Sequence, residues 1–197
     1  MSARIIPLAP PAQVEERISD EALVAACAAG DESALRILYR RHEAGLHRFL
    51  TRMLGRDAVD VDDLVQQTFL CAWENAGRFR AESRVSSWLF GIGANLARAR
   101  RRTHLRREGL FALFSRQPEV PRLATDELLA HKQTLSHLMD ALEDLPHDLR
   151  VAFVMCEIEE IPGTEAARAL GLRPGTLWRR LHDARRRLRA ALEEEAP

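Results

Sequence analysis

Apolar residues recur at α-helical spacing along most of the 197-residue chain. Between Asp31 and Gly55 this spacing predicts one long helix, which Asp31 can cap and Gly55 can end. Ser19 and Gly30 bound a shorter helix in the same way. Aromatic residues make up only 6% of the chain, and glycine and proline are sparse, which disfavours a β-sandwich. The chain is therefore predicted to be all-α.

Two interruptions of the helical pattern predict two small helical domains. We expect a disordered leader over residues 1–17 and an N-terminal helical bundle over 18–107, followed by a flexible linker over 108–124. A C-terminal helix–turn–helix domain is expected over 125–197. The linker carries an apolar cluster at 110–114, which is expected to dock on a partner or on a flanking domain.

The last helix carries the pattern of a DNA-recognition helix. It follows the turn Gly-Leu-Arg-Pro-Gly at 171–175, and its apolar residues form one stripe at helical spacing. Arginines occupy most of the other positions, an arrangement typical of a helix that enters the major groove of DNA. Thr176 lies at its start, where a hydroxyl and backbone N–H groups can hold a phosphate.

Charge is segregated along the chain although the formal net charge is zero. Four aspartates within seven residues, Asp57, Asp60, Asp62 and Asp63, exceed what a helix cap requires and predict an acidic face for a basic protein surface. The spacing lacks the central glycine and terminal glutamate of a calcium loop. Six arginines within residues 98–107 instead predict contact with nucleic acid, although a GC-rich genome also favours arginine over lysine.

Three aromatic residues, Phe79, Trp88 and Phe90, lie just before the arginine run. Core positions are favoured for Trp88 and Phe90. Phe79 falls in a polar loop over 77–87, where either a core role or stacking on an unpaired base fits.

Enzymatic motifs are missing from the sequence. The histidines form no HExxH motif, no serine lies in a GxSxG elbow, and no glycine-rich phosphate loop is present. Cys27, Cys71 and Cys156 match neither a zinc motif nor a disulfide framework, which fits a reducing cytoplasm. No stretch approaches a membrane span. We therefore expect a cytoplasmic protein that is not an enzyme, needs no cofactor or metal, and does not insert into a membrane.

Three strings follow one another along the chain. They are DVDDLVQQTFLCAW at 60–73, FRAESRVSSWLFGIGANLARARRR at 79–102, and LEDLPHDLRVAFVMCEIEEIPGTEAARALGLRPGTLWRRLHDARRRLRAAL at 142–192. In this order they resemble the extracytoplasmic-function (ECF) group of bacterial RNA polymerase sigma factors. The first is similar to the polymerase-binding helix of that family, the second to its minus-ten recognition segment, and the third to its minus-thirty-five module.

The resemblance implies a transcription initiation factor whose partners are core RNA polymerase, promoter DNA and an anti-sigma factor. The residues implied to bind polymerase are Asp60, Asp62, Asp63, Gln66 and Phe69. The residues implied to recognise the minus-ten element, with a flipped base in the loop 78–87, are Phe79, Arg80, Ser83, Trp88, Asn95, Arg98, Arg101 and Arg102. Those implied to contact the minus-thirty-five duplex are Arg173, Thr176, Trp178, Arg179, Arg180 and His182.

The chain departs from the family pattern at a few positions. Gly91 and Gly93 lie within one helix, which predicts local flexibility there. Pro162, Gly163 and Thr164 stand where an extra loop residue and a Glu-Ile pair are common, which leaves the start of the first helix of the helix–turn–helix open. Trp178 stands where a basic residue is common, and Asp183 where arginine is common, so the minus-thirty-five preference is expected to differ from the usual one.

Two other functions fit parts of the sequence. A stand-alone regulator would use the helix–turn–helix alone and dimerise through its N-terminal domain. An antagonist of sigma factors would mimic these surfaces, but it would not need an arginine-rich recognition helix, which this chain has.

Overall fold

The computed structural model describes residues 18–55, 61–111 and 139–194, with side chains to residue 102 in the second range and to residue 193 in the third. Its elements are α1 (Asp20–Ala28), α2 (Glu32–Leu54), α3 (Val61–Asn75), a 3-10 turn (Ala76–Arg78), α4 (Val85–Phe111), α5 (His147–Phe153), a π-helical segment (Val154–Ile158), α6 (Gly163–Ala169) and α7 (Pro174–Glu194). Residues 139–144 are also helical. The described residues contain no strand, so the all-α prediction is confirmed.

The first two helices begin and end where the sequence predicts. Ser19 Oγ accepts from the Ala22 N–H at 3.2 Å, and Asp31 Oδ1 accepts from the Ser33 N–H at 2.9 Å. Each bond satisfies an N–H group that the first helical turn leaves without a partner. Gly55 ends α2 with φ of +59°, a backbone conformation that side chains disfavour.

Helices α1 to α4 pack around one apolar core. Leu46, Phe49 and Leu50 of α2 are fully buried, and the Phe49 ring stacks on Phe90 of α4 with centroids 4.6 Å apart. Phe90 is 8% exposed, so its predicted core position is confirmed. Burial of each such side chain stabilises the fold by about 1.5–3 kcal/mol.

Helix α4 extends further than predicted. It continues through residues 108–111, which were predicted to belong to the linker. The remainder of that linker, the leader 1–17 and the start of the C-terminal domain predicted at residue 125 lie outside the described residues. The division into domains therefore stays a prediction.

The C-terminal elements form a helix–turn–helix. Helices α6 and α7 pack together, Gly171 in the intervening turn has φ of +65°, and Pro162 precedes the first residue of α6. The stripe of α7 is buried as predicted, through Leu177, Leu181, Ala184 and Leu188. Before α6 and α7, α5 continues directly into the π-helical segment Val154–Ile158.

The two glycines of α4 allow close packing of neighbouring elements. A Cβ atom on Gly91 would collide with the backbone carbonyl of Ala169 in α6, and one on Gly93 would lie 3.2 Å from Leu46 and Leu50. Helix α6 therefore lies directly on α4, and the N-terminal and C-terminal elements share one core cluster. The sequence predicted local flexibility at these two glycines, whereas in the structure they allow close packing.

Candidate protein and nucleic-acid interfaces

The start of α3 presents an acidic face. Val61 and Leu64 point into the core, which turns Asp62 and Asp63 outward; these carboxylate side chains are 88% and 64% exposed. Gln66, one turn further on, is also exposed. Asp57 and Asp60 lie outside the described residues. The aspartates that are described thus form an accessible anionic surface.

Phe69 is mostly turned into the core. It is 3% exposed, and its ring lies 4.8 Å from that of Tyr39. It presents little surface to a partner, so its predicted contact with polymerase stays a prediction. The next residue, Leu70, is 58% exposed and was missed. Its spacing could have indicated this exposure, because position 70 follows Asp63 by seven residues and Gln66 by four and so lies on the same side of the helix.

A groove of about 520 Å³ adjoins the acidic face between α2 and α3. Its lining combines apolar and charged side chains: Glu32, Leu35, Arg36, Tyr39, Gln66, Phe69, Leu70 and Trp73. An exposed leucine beside carboxylates suits a protein partner that offers apolar and basic groups together.

The loop between the 3-10 turn and α4 holds an aromatic pair. Phe79 and Trp88 are both half-buried, with ring centroids 4.9 Å apart and planes tilted by 42°. Each ring packs against the core on one side and keeps part of its surface accessible. Arg80 is exposed and Ser83 is half-buried beside them. Phe79 thus packs on the core with one side of its ring and leaves the other side accessible, so stacking on an unpaired base stays open.

Helix α6 of the C-terminal module lies over this loop. Glu165 accepts from the Arg84 N–H at 2.9 Å and from Ser87 Oγ at 2.6 Å, and so caps the start of α4. Arg168 donates to the Glu82 carbonyl at 2.8 Å. Burial alone would raise the pKa of Glu165, but the hydrogen bonds from Ser87 and Arg84 lower it below its ordinary value.

The basic end of α4 is exposed. Asn95, Arg98 and Arg102 are exposed and Arg101 is half-buried, whereas the side chains of Arg106 and Arg107 lie outside the described part. Arg100 pairs with Asp63 across 3.8 Å and is 33% exposed. The predicted cationic surface is therefore accessible along the described stretch of this helix.

Asp148, at the start of α5, joins the two basic helices. Its Oδ2 atom accepts from Arg98 of α4 at 3.2 Å and from Arg180 of α7 at 2.8 Å. Arg98 is 54% exposed and Arg180 only 22%. Two arginines predicted to read different DNA elements therefore share one carboxylate oxygen.

The neighbouring residue, His147, is half-buried where α5 packs on α4. Its Nε2 lies 3.1 Å from the Ala94 carbonyl, and burial lowers its pKa to about 4. The folded chain thus holds a neutral imidazole, whereas the unfolded chain binds a proton below an ordinary pKa of about 6.5. Stability from this group is complete above about pH 6.5 and is lost as the pH falls towards 4.

Glutamine does not titrate, and its amide can still donate to the Ala94 carbonyl. We therefore expect His147→Gln to keep the fold and to flatten the fall in unfolding free energy between pH 6.5 and pH 4.5. Urea unfolding of both proteins across this range measures the difference. His182→Gln, at an exposed position of α7, is the matched control and should keep the wild-type slope. Equal slopes for wild type and His147→Gln would contradict the assignment.

The outer face of α7 is cationic. Arg179 and His182 are exposed, as is Arg173 in the preceding turn, and Trp178 is 50% exposed. Arg185 pairs with Glu157 and Arg186 with Asp183, yet both remain more than half exposed. Arginines therefore dominate the exposed face of α7, but the two signs are not fully separated on the described surface, because Arg100 of α4 pairs with Asp63 of the acidic face.

Thr176 lies at the start of α7. Its backbone N–H donates to the Arg173 carbonyl at 2.9 Å, so a phosphate contact would come from its hydroxyl, and that contact stays a prediction. The residue itself is half-buried.

The cysteines do not form a site in the described part of the chain. Cys27, Cys71 and Cys156 are free thiols. Burial raises the pKa of Cys27 and Cys156, which keeps both protonated and weakly reactive near neutral pH. Within the described ranges, no group of three or more histidine, cysteine, aspartate or glutamate residues is arranged to hold a metal ion. No described helix is long and apolar enough to cross a bilayer.

Comparison with known proteins identifies the family. Residues 38–107 match the model of Sigma-70 region 2, and residues 136–188 match that of Sigma-70, region 4. The chain is 35% identical over 175 residues to the ECF RNA polymerase sigma factor SigM of Mycobacterium tuberculosis, covering 86% of this chain and 83% of SigM. The chain belongs to the ECF sigma factors.

Other matches agree with this assignment. The RNA polymerase sigma factor CarQ of Myxococcus xanthus is 32% identical over 165 residues, which cover 84% of this sigma factor and 92% of CarQ. The solved structure of CnrH in complex with the cytosolic domain of CnrY superimposes with a TM-score of 0.63 at 30% identity, covering 90% and 99% of the two chains.

Sigma factors direct RNA polymerase to promoters and are transcription factors, not enzymes. Because the matches span both modules of this sigma factor, they decide against a stand-alone helix–turn–helix regulator.

Proposed function

We propose that this sigma factor docks on core RNA polymerase through the acidic face of α3, which includes Asp62, Asp63 and Gln66, together with the exposed Leu70. Asp60, which precedes α3 in the sequence, and Phe69 are proposed to contribute to the same contact. Carboxylates on such a face steer association with a basic surface, and a half-exposed leucine supplies apolar area once docked. The exposure of Asp62, Asp63 and Leu70 on a helix that otherwise packs into the core supports this role.

The N-terminal module would then read the minus-ten element. Phe79 and Trp88 offer aromatic surface for an unstacked base, and Arg80 and Ser83 offer hydrogen bonds around it. Asn95, Arg98, Arg101 and Arg102 follow α4 away from that loop and would contact the melted strand or the adjoining duplex. Because the chain has no ATP-binding motif, binding energy alone would open the duplex.

The C-terminal module would read the minus-thirty-five element through α7. Arg173, Arg179, Arg180 and His182 are the proposed contacts, with the hydroxyl of Thr176 at a phosphate and Trp178 at a base edge. A bidentate contact from arginine to guanine discriminates by about 1–3 kcal/mol. The buried apolar stripe of α7 supports this role, because it turns the arginine-rich side outward.

Reading both elements at once requires the two modules to separate. The Nη2 atoms of Arg98 and Arg180 lie at most about 6 Å apart on Asp148, whereas two separate elements of one duplex lie several base pairs apart, each step adding about 3.4 Å. We therefore propose that engagement of polymerase and promoter breaks the contacts that Asp148 and Glu165 make between the modules.

We propose that the protein works in the cytoplasm, without a cofactor and without catalysing a reaction of its own. An anti-sigma factor is the proposed regulator: CnrH, which is 30% identical, has been solved with the cytosolic domain of CnrY bound.

The observation that carries the proposal is the exposure of arginine surfaces on α4 and α7 together with an acidic face on α3. A run-off assay tests it, with purified core enzyme, this protein and a promoter selected from a random library by the reconstituted holoenzyme. Specific transcripts should exceed those of core enzyme alone. Absence of such transcripts would refute the proposal, and tight duplex binding without polymerase would instead indicate an independent regulator.

A further inference from the structure

Trp178 and Gly163, two departures from the family pattern, are in contact in the structure. A Cβ atom on Gly163 would lie 2.6 Å from Cζ2 and Cη2 of the Trp178 indole, closer than real Cβ contacts allow. The six-membered ring therefore rests on the backbone where α6 begins, and only glycine leaves room for it there.

The indole is held yet remains accessible. Leu177 and Leu181 bury the inner side of α7, whereas Trp178 is 50% exposed and shares the outer side with the exposed Arg179 and His182. A tryptophan has only two side-chain torsions, so a contact on one edge of the ring restricts its orientation at low entropic cost. Gly163 thus positions the free edge of the indole on the proposed DNA-reading surface.

The chemistry of this edge selects one feature of the major groove. An indole offers flat apolar surface and a single N–H donor, and it has no acceptor. The C5-methyl group of thymine is the apolar feature that base pairs present in that groove. We propose that Trp178, positioned by Gly163, gives this sigma factor a preference for thymine at one position of its minus-thirty-five element. The inference rests on the proposed function, because it requires α7 to enter the major groove.

A purely structural role for Trp178, packing α7 on α6, makes a different prediction. Loss of the ring would then lower stability and weaken every promoter alike. Sensitivity to a single thymine methyl group separates the two roles, because only a base contact depends on it.

The experiment uses holoenzyme reconstituted from the full chain and core polymerase. A selection from duplexes randomised upstream of a fixed minus-ten element first defines the minus-thirty-five box. Each thymine on either strand of that box is then replaced singly by deoxyuridine, which lacks only the methyl group. At one position we expect wild-type binding to weaken about fourfold, the effect of one buried methyl group. Trp178→Ala should show no difference between the two bases there.

Gly163→Ala tests the positioning role while keeping the tryptophan. The added methyl group should displace the ring, whose half-exposed position lets it move, and abolish the sensitivity to deoxyuridine. In the Trp178→Ala background, Gly163→Ala should have no further effect on binding. Gly175→Ala is the matched control, because a Cβ at Gly175 meets nothing within 4 Å, and it should keep wild-type sensitivity.

Three outcomes would overturn the proposal: a selected box without thymine on either strand, wild-type binding indifferent to deoxyuridine at every position, or equal sensitivity in wild type and Trp178→Ala. Failure of the wild-type holoenzyme to bind any selected promoter is a separate result, which would overturn the proposed function as well.

Discussion

Reversing both exposed charges at the start of α3, with Asp62→Arg and Asp63→Arg, should weaken association with core RNA polymerase at least about 100-fold. Like charges brought together in an interface cost several kcal/mol, and each 1.4 kcal/mol is a factor of ten in affinity. The side chains are 88% and 64% exposed, so the fold should tolerate the change. Fluorescence anisotropy of labelled protein titrated with core enzyme measures the affinity.

The control must carry the same change in net charge. Asp144→Arg with Glu193→Arg reverses two exposed acids in the C-terminal part of the chain, away from α3, and should keep affinity within about threefold of wild type, since surface changes remote from an interface have small effects. Circular dichroism and unfolding midpoints should match for all three proteins. Equal affinities of the two double variants would rule out the acidic face as the docking site.

Leu70 refines the same prediction. Leu70→Ala removes apolar area from the proposed interface without opening a cavity, since the side chain is 58% exposed. We expect about a tenfold loss of affinity for core enzyme, in the range of a well-packed interface residue, with little loss of stability. Wild-type affinity for Leu70→Ala would confine the docking surface to the carboxylates.

The sequence predicted local structure well because local interactions determine it. The caps at Ser19 and Asp31 and the end at Gly55 each depend on residues within one turn. The apolar stripe of α7 follows from periodicity alone, and so does the exposure of its arginines. Phe69 was assigned to the polymerase contact from family resemblance alone, and only the structure reveals that most of its ring lies in the core.

The contacts between modules could not be read from the sequence. Glu165 and Ser87 are 78 residues apart, and nothing in either segment indicates that they meet. The close approach of Ala169 to Gly91 could not be predicted either, because it depends on the packing of α6 on α4. The π-helical segment at 154–158 also has no periodicity of its own, since a run of apolar residues fits both helix types.

Arg150 is the strongest example of a residue whose role only the structure reveals. In the sequence it is one arginine among many, yet it is 3% exposed. Its guanidinium donates to the Met53 carbonyl at 2.9 Å and to the carbonyls of Glu143 and Leu145. Met53 lies in the last turn of α2, where helical carbonyls lack partners and carry partial negative charge. One cation thus binds the end of α2 to the chain that leads into α5.

Replacing this cation with an apolar side chain of similar length, Arg150→Met, should therefore lower the free energy of unfolding by about 3 kcal/mol or more. Each buried carbonyl that loses its donor costs about 1–3 kcal/mol. Urea unfolding measures the change, and Arg187→Met, at an exposed arginine of α7, should change the value by no more than about 0.5 kcal/mol. Arg150→Lys should fall between wild type and Arg150→Met, because an ammonium group keeps the charge but cannot reproduce the planar fork of donors. If Arg150→Met lost no more stability than Arg187→Met, water would have to satisfy the carbonyls of Met53 and Glu143. The junction between the modules would then be held by its apolar contacts, with Arg150 contributing little.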